Sequence, residues 1–146
     1  MNARLIAIVM VSFSFVMAGC GSNEVKPYEV PAEKAFAVTP PGADVPKGCA
    51  VFSGGWSGEW RVGGVGRSNL WVTSIDKECN ATISYGRMGV TQSKIVDGTL
   101  QEFMCNPTTN GRCTFKISND GNTLSASYWN PQGGRNYATF SRIIVK

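Results

Sequence analysis

The sequence predicts an all-β fold: a small antiparallel up-and-down β-barrel of about eight strands, preceded by a signal peptide and a proline-rich tether. Three observations carry this expectation. From Cys49 onward, short β-prone segments are cut by glycine and asparagine turns at intervals of about 8 to 12 residues, the rhythm of a sandwich or barrel. Within the segments polarity alternates with period two, so each can turn one face to a core. No segment after residue 19 carries a helical apolar period.

Strands are expected at 55–62, 69–76, 81–86, 92–96, 99–103, 113–118, 123–129 and 136–145. In the first, Trp56, Gly58 and Trp60 share a face opposite Ser57, Glu59 and Arg61. Ala81, Ile83 and Tyr85 oppose Thr82 and Ser84, and Leu124, Ala126 and Tyr128 oppose Ser125, Ser127 and Trp129. The turns Gly63-Gly64-Val65-Gly66, Asp97-Gly98, Asp120-Gly121 and Gly133-Gly134 supply residues that tolerate positive φ, as tight hairpins require. Closing such a meander on itself removes its exposed edges, which makes a barrel the favoured arrangement.

Ahead of this domain, Met1 to Arg4 carries one positive charge and an apolar stretch follows from Leu5 to Met17. That is the layout of an export signal, and it is shorter than the roughly 20 apolar residues needed to span a bilayer. It ends at Met17-Ala18-Gly19-Cys20, which resembles the lipobox cut by bacterial lipoprotein signal peptidase. The resemblance implies cleavage after Gly19, diacylglycerol on the Cys20 sulfur and a further acyl chain, such as palmitate, on the new amino group. An ordinary secretory signal is the alternative, but small residues run directly into the cysteine and a polar segment follows at once. Each buried CH₂ contributes about 0.8 kcal/mol, so several chains on one residue hold the protein to a membrane effectively permanently. Gly21 stands where an aspartate would signal inner-membrane retention, which points to the outer membrane, on the periplasmic face or the cell surface.

Five of the seven prolines, Pro27, Pro31, Pro40, Pro41 and Pro46, fall between Gly21 and Gly48, where apolar periodicity is absent. Residues 20–48 are therefore expected to be a flexible tether reaching on the order of 30 Å from the membrane, and residues 49–146 the folded domain. Without residues 1–19, which contain Arg4 alone among charged residues, 13 basic and 10 acidic side chains remain, scattered rather than clustered. That distribution argues against a nucleic-acid partner.

With Cys20 committed to lipid, Cys49, Cys79, Cys105 and Cys113 remain. An even number in an exported domain of this size reads as two disulfides, with three possible pairings. Cys105 with Cys113, across a short loop holding Pro107 and Gly111, and Cys49 with Cys79 is the pairing expected. A zinc site is the competing use of these thiols, but no pair has CxxC spacing and the chain contains no histidine. No metal or cofactor is expected.

Gly54-Gly55-Trp56 and Gly58-Glu59-Trp60 at the start of the domain, with Arg142 near its end, resemble the Gly-x-Trp and terminal arginine of the calycins, the superfamily of lipocalins, fatty-acid-binding proteins and avidins. The resemblance implies an eight-stranded barrel in which Arg142 packs over Trp56 or Trp60 as a closing contact. The domain is shorter than a lipocalin, so a small cavity is implied.

Enzymatic chemistry finds little footing. Without histidine neither the commonest general base nor a usual serine or cysteine triad can be assembled. Glu59, Asp76, Glu78, Asp97, Glu102 and Asp120 are the carboxylates available for pairing, most of them in or beside turns where solvated charge is the default. The glycine-rich loop at 63–66 lacks a following lysine and helix, so it reads as a hairpin rather than a phosphate cradle. Asn80-Ala81-Thr82 matches a glycosylation triplet by chance composition.

Aromatic side chains are the better binding candidates. Trp71 and Trp129 fall opposite the expected core faces and Tyr137 adjoins the Gly133-Gly134-Arg135 turn. Trp71, Trp129, Tyr137 and Arg135 are the expected contacts with a small molecule, glycan or envelope protein; a bulge or register shift would instead turn the tryptophans inward. The expectation is a non-enzymatic, membrane-anchored binding or structural module. The layout also resembles the lipid-anchored lysozyme inhibitors of Gram-negative bacteria, which makes enzyme inhibition the alternative, and a carboxylate-dependent hydrolase the third.

Overall fold

The structure, a computed structural model, describes residues 27–62 and 66–146. The expected signal peptide, Cys20 and the first three residues of the 63–66 turn lie outside the described residues. Nine strands form: β1 (Tyr28–Val30), β2 (Gly54–Trp60), β3 (Arg67–Ile75), β4 (Asn80–Tyr85), β5 (Val90–Val96), β6 (Thr99–Asn106), β7 (Gly111–Ile117), β8 (Thr123–Trp129) and β9 (Arg135–Val145). Strands β2 to β9 pair in sequence order, all antiparallel, and β9 returns to β2, so the sheet closes into an eight-stranded barrel as the sequence predicts.

The turns follow from residue type. Asp97 and Gly98 take φ of 48° and 68°, the two positive values that a two-residue hairpin of the tightest kind needs. Gly121 and Gly133 sit at 71° and 87° in their own turns. The pairing of β5 with β6 reaches only from Val96↔Thr99 to Ile95↔Leu100. Beyond it β6 bulges between Leu100 and Phe103, which bends that strand.

The inward positions are filled by Trp56, Leu70, Val72, Ile83, Leu100, Phe115, Leu124 and Phe140, all fully buried. Phe103 and Phe115 stack with an interplanar angle of 11°, and Phe115 meets Phe140 edge-on at 5.1 Å. This apolar fill supplies the main folding drive, at about 25 cal/mol per Å² removed from water.

Two expectations are corrected. The folded unit does not start at Cys49: β1 pairs in parallel with the tail of β9, Tyr28 to Val30 against Ile143 to Val145, and Val30 and Val45 are buried. A four-residue helix, α1 (Lys47–Ala50), and a 3₁₀ turn at Ala32–Lys34 are too short to print a helical period on the sequence. The prolines from Pro31 to Pro46 shape a strap laid on the barrel, because its backbone finds partners in β3 and β9, as in Thr39 N–H donating to Thr73 O at 2.8 Å.

The second correction concerns Trp71. It does occupy an outward position, opposite Gly55 across β2 and β3, yet it is only 4% exposed. The strap covers it, with the Phe36 ring 5.9 Å away. Gly55 leaves room for the indole, since a Cβ there would stand 2.7 Å from the ring. Trp71 is therefore packing, not a binding surface.

Candidate binding site at the barrel mouth

The two ends of the barrel differ. The turns 76–79, 97–98 and 118–122 gather at one end, and α1 with Phe52 plugs it. There the Arg142 guanidinium stacks 3.9 Å from the centre of the Trp56 ring. It donates to Ser53 O at 2.8 Å and to Val51 O, while the Trp56 indole N–H donates to Phe52 O at 2.9 Å. Burial lowers the Arg142 pKa below the ordinary guanidinium range, and the carbonyls it meets replace the lost water. The Cys49–Cys79 disulfide, Cα to Cα 5.7 Å, ties α1 to the β3–β4 turn at this end.

At the opposite end the inward side chains stop short and leave a cleft of about 720 Å³. Trp60, Tyr85 and Tyr128 form its aromatic wall. Trp60 Nε1 donates to Tyr85 Oη at 2.8 Å, and Trp60 meets Tyr128 edge-on at 6.2 Å. Tyr128 Oη in turn shares a hydrogen bond with Thr109 Oγ1 at 2.7 Å and accepts one from Asn130 Nδ2 at 3.1 Å. These bonds fix three rings whose inward register follows from the period-two pattern. Gly111 is required beside them, because a side chain there would overlap the Tyr128 ring. Burial pushes the Tyr85 hydroxyl above the ordinary 10.0, with hydrogen bonds from Ser68 and Trp60 opposing part of that shift.

The charged side chains that line the cleft are Arg67, Arg87 and Arg135, with no carboxylate among the described lining residues. Arg67 is paired with Glu59 at 3.0 Å and lies over the Tyr28 ring at 4.5 Å. Arg87 and Arg135 form no ion pair among the described residues. Asn136 clamps the stem of the β2–β3 loop, accepting from Val62 N–H at 3.1 Å and donating to Val62 O at 2.6 Å. The second disulfide, Cys105–Cys113, forms part of the wall. Both cysteine pairs are thus disulfides, in the pairing the sequence suggested.

Of the expected binding residues, Arg135 reaches the cleft. Trp129 and Tyr137 stand exposed on the outer side of β8 and β9, at 38% and 51%. Trp71 is separated from all three beneath the strap. The carboxylates are dispersed: Asp76 caps the β3–β4 turn by accepting from the Asn80 backbone and side chain at 2.8 Å, and Asp120 accepts from Ser118 Oγ and Asn122 N–H. These bonds hold both carboxyls below their usual pKa. Tyr85, Tyr128, Arg67 and Arg87 were not singled out by sequence. Their signal was present, since each sits at a strand end or turn beside the same rim, but only closure shows that those ends meet. No family model matches the chain, and no curated protein matches it.

Proposed function

We propose that this protein is a non-enzymatic binding module, held at the cell envelope by a lipid on Cys20, whose barrel mouth takes a small ligand with a flat apolar part and a negative charge. The observation that carries this is the cleft of three hydrogen-bonded rings rimmed by Arg67, Arg87 and Arg135 and, among the described residues, by no carboxylate. A mostly apolar concavity with a few convergent polar groups is the usual form of a small-ligand site. Arg142 over Trp56 and the sealed lower end support the calycin reading, and the lipobox-like sequence Met17-Ala18-Gly19-Cys20 supports the anchor.

The test of the mouth uses 8-anilinonaphthalene-1-sulfonate, an anionic aromatic, against neutral N-phenyl-1-naphthylamine, with residues 27–146. Saturable fluorescence enhancement favouring the sulfonate is expected, weakened at least tenfold in Arg87→Ala/Arg135→Ala, since the loss of even one charge-assisted hydrogen bond costs about 1.5–3 kcal/mol. Equal, non-saturating response to both dyes would remove the mouth as a site. The anchor is tested by mass spectrometry of the mature protein, where a free Cys20 thiol would sink it. Lysozymes are cationic in general, and an arginine rim is the wrong electrostatic match for such a partner.

A further inference from the structure

We infer a second, separate binding surface: the outer face of β6 to β9 is a platform for an anionic polysaccharide, with Trp129 and Tyr137 as stacking residues. The two rings point away from the barrel interior, and Arg135 is the residue this surface shares with the mouth.

Register places Met104, Arg112, Trp129 and Arg135 in one row across four strands, because Met104 pairs with Arg112, Arg112 with Trp129 and Trp129 with Arg135. Tyr137 lies one outward position along β9, diagonal to Trp129 and within reach of an aromatic side chain. The indole is pinned. Trp129 Nε1 on β8 donates to Glu102 Oε2 on β6 at 2.6 Å, so the ring lies along the sheet across β7 and turns a face to solvent. The other Glu102 oxygen is 3.7 Å from Arg112, so both interactions of this carboxylate are internal to the platform. An exposed tryptophan tethered in this way has already given up the rotamer freedom that stacking would otherwise cost.

The chemistry around the rings selects the occupant. Outward positions on these strands carry Arg112, Lys116 and Arg135 against the one carboxylate Glu102, and hydroxyls of Thr114, Ser127, Ser125 and Thr139 fill the places between. An outer barrel wall with two exposed aromatic rings, neighbouring hydroxyls and surplus cations matches the C–H face, hydroxyls and carboxylate of a uronic acid chain. Met104, Trp129 and Tyr137 are the large apolar side chains exposed on this face, and Arg112 and the hydroxyls interrupt them, which favours a polar chain over the desolvated centre of a protein interface.

The test is surface plasmon resonance of the detergent-solubilised full chain over immobilised polygalacturonate, with dextran as the neutral surface. Binding to polygalacturonate alone is expected, falling roughly tenfold in Trp129→Ala and in Tyr137→Ala, the scale of one lost aromatic stacking contact with its area. Tyr137→Ala breaks no side-chain hydrogen bond found here, so loss of binding in it does not reduce to misfolding, and Arg87→Ala at the mouth should bind as the parent does. Equal binding to both surfaces, no binding to polygalacturonate, or binding lost in Arg87→Ala but kept in both aromatic variants would overturn the proposal. So would concentration-dependent self-association that Trp129→Ala abolishes, which would assign the platform to a second copy of this chain.

Discussion

Trp56 and Trp60 sit four residues apart on the same face of the same strand, yet they end in opposite circumstances. Trp56 is fully buried, its indole N–H bonded to Phe52 O and its face covered by Arg142. Trp60 is partly exposed, its N–H bonded to Tyr85 and its ring forming one wall of an open cleft. One tryptophan is sealed by a helix just ahead of it and an arginine from the far end of the chain, and over the other no described residue plays that part. The barrel therefore has a sealed end and an open end, and each has its own disulfide.

The largest break in this comparison should come from Trp56→Ala. Removing a fully buried ring and the seat of Arg142 is expected to cost about 3–5 kcal/mol, read from the urea midpoint. If the loss is under about 1 kcal/mol, the lower end is not the structural one. Next are the disulfides. Opening Cys49–Cys79, which spans 30 residues, should cost about 3–4 kcal/mol in the chain-entropy picture. Cys105–Cys113 spans 8 and should cost about 2–3 kcal/mol. Alanine pairs at each end, unfolded in parallel, sharpen the contrast, and a reversed order would break it.

The smallest effect belongs to the mouth. Tyr85→Phe leaves Trp60 Nε1 without its acceptor and should cost about 1 kcal/mol at neutral pH. Its signature is alkaline. Burial raises the Tyr85 pKa, so the folded state holds that proton more tightly than the unfolded chain does. The stability linked to it is complete below about pH 10 and is lost as pH rises through the folded value. Stability measured from pH 8 to 11 should therefore decline less in Tyr85→Phe than in the parent, and identical slopes would show that burial of Tyr85 is not felt.

Which residues face inward was legible in the sequence, because period-two alternation is a property of the extended chain itself. Trp56, Ile83 and Leu124 needed no tertiary information to be placed. Whether an outward residue meets water was not legible. Ser57 and Trp71 both point out of the barrel, and both are buried, at 1% and 4%. The strap that hides Trp71 is rich in proline and has no periodicity, so it reads as a leash, and its partners Thr73 and Lys146 lie beyond any local pattern. Trp129 reads the same way as Trp71 by alternation, and it stays exposed because no described segment crosses β8.

By itself the sequence determined the strand-and-turn order, the inward faces and the chemistry available: aromatics, arginines and thiols without histidine. Those are consequences of local backbone preference and of side chains that alternate every second residue. Tertiary structure alone decided that the ends of eight strands meet, that one end is stopped by Arg142 and α1 while the other stays open, and that Arg67, Arg87 and Arg135 share a rim. Such decisions depend on contacts between residues distant along the chain, and no local periodicity encodes which distant segment will cover which face.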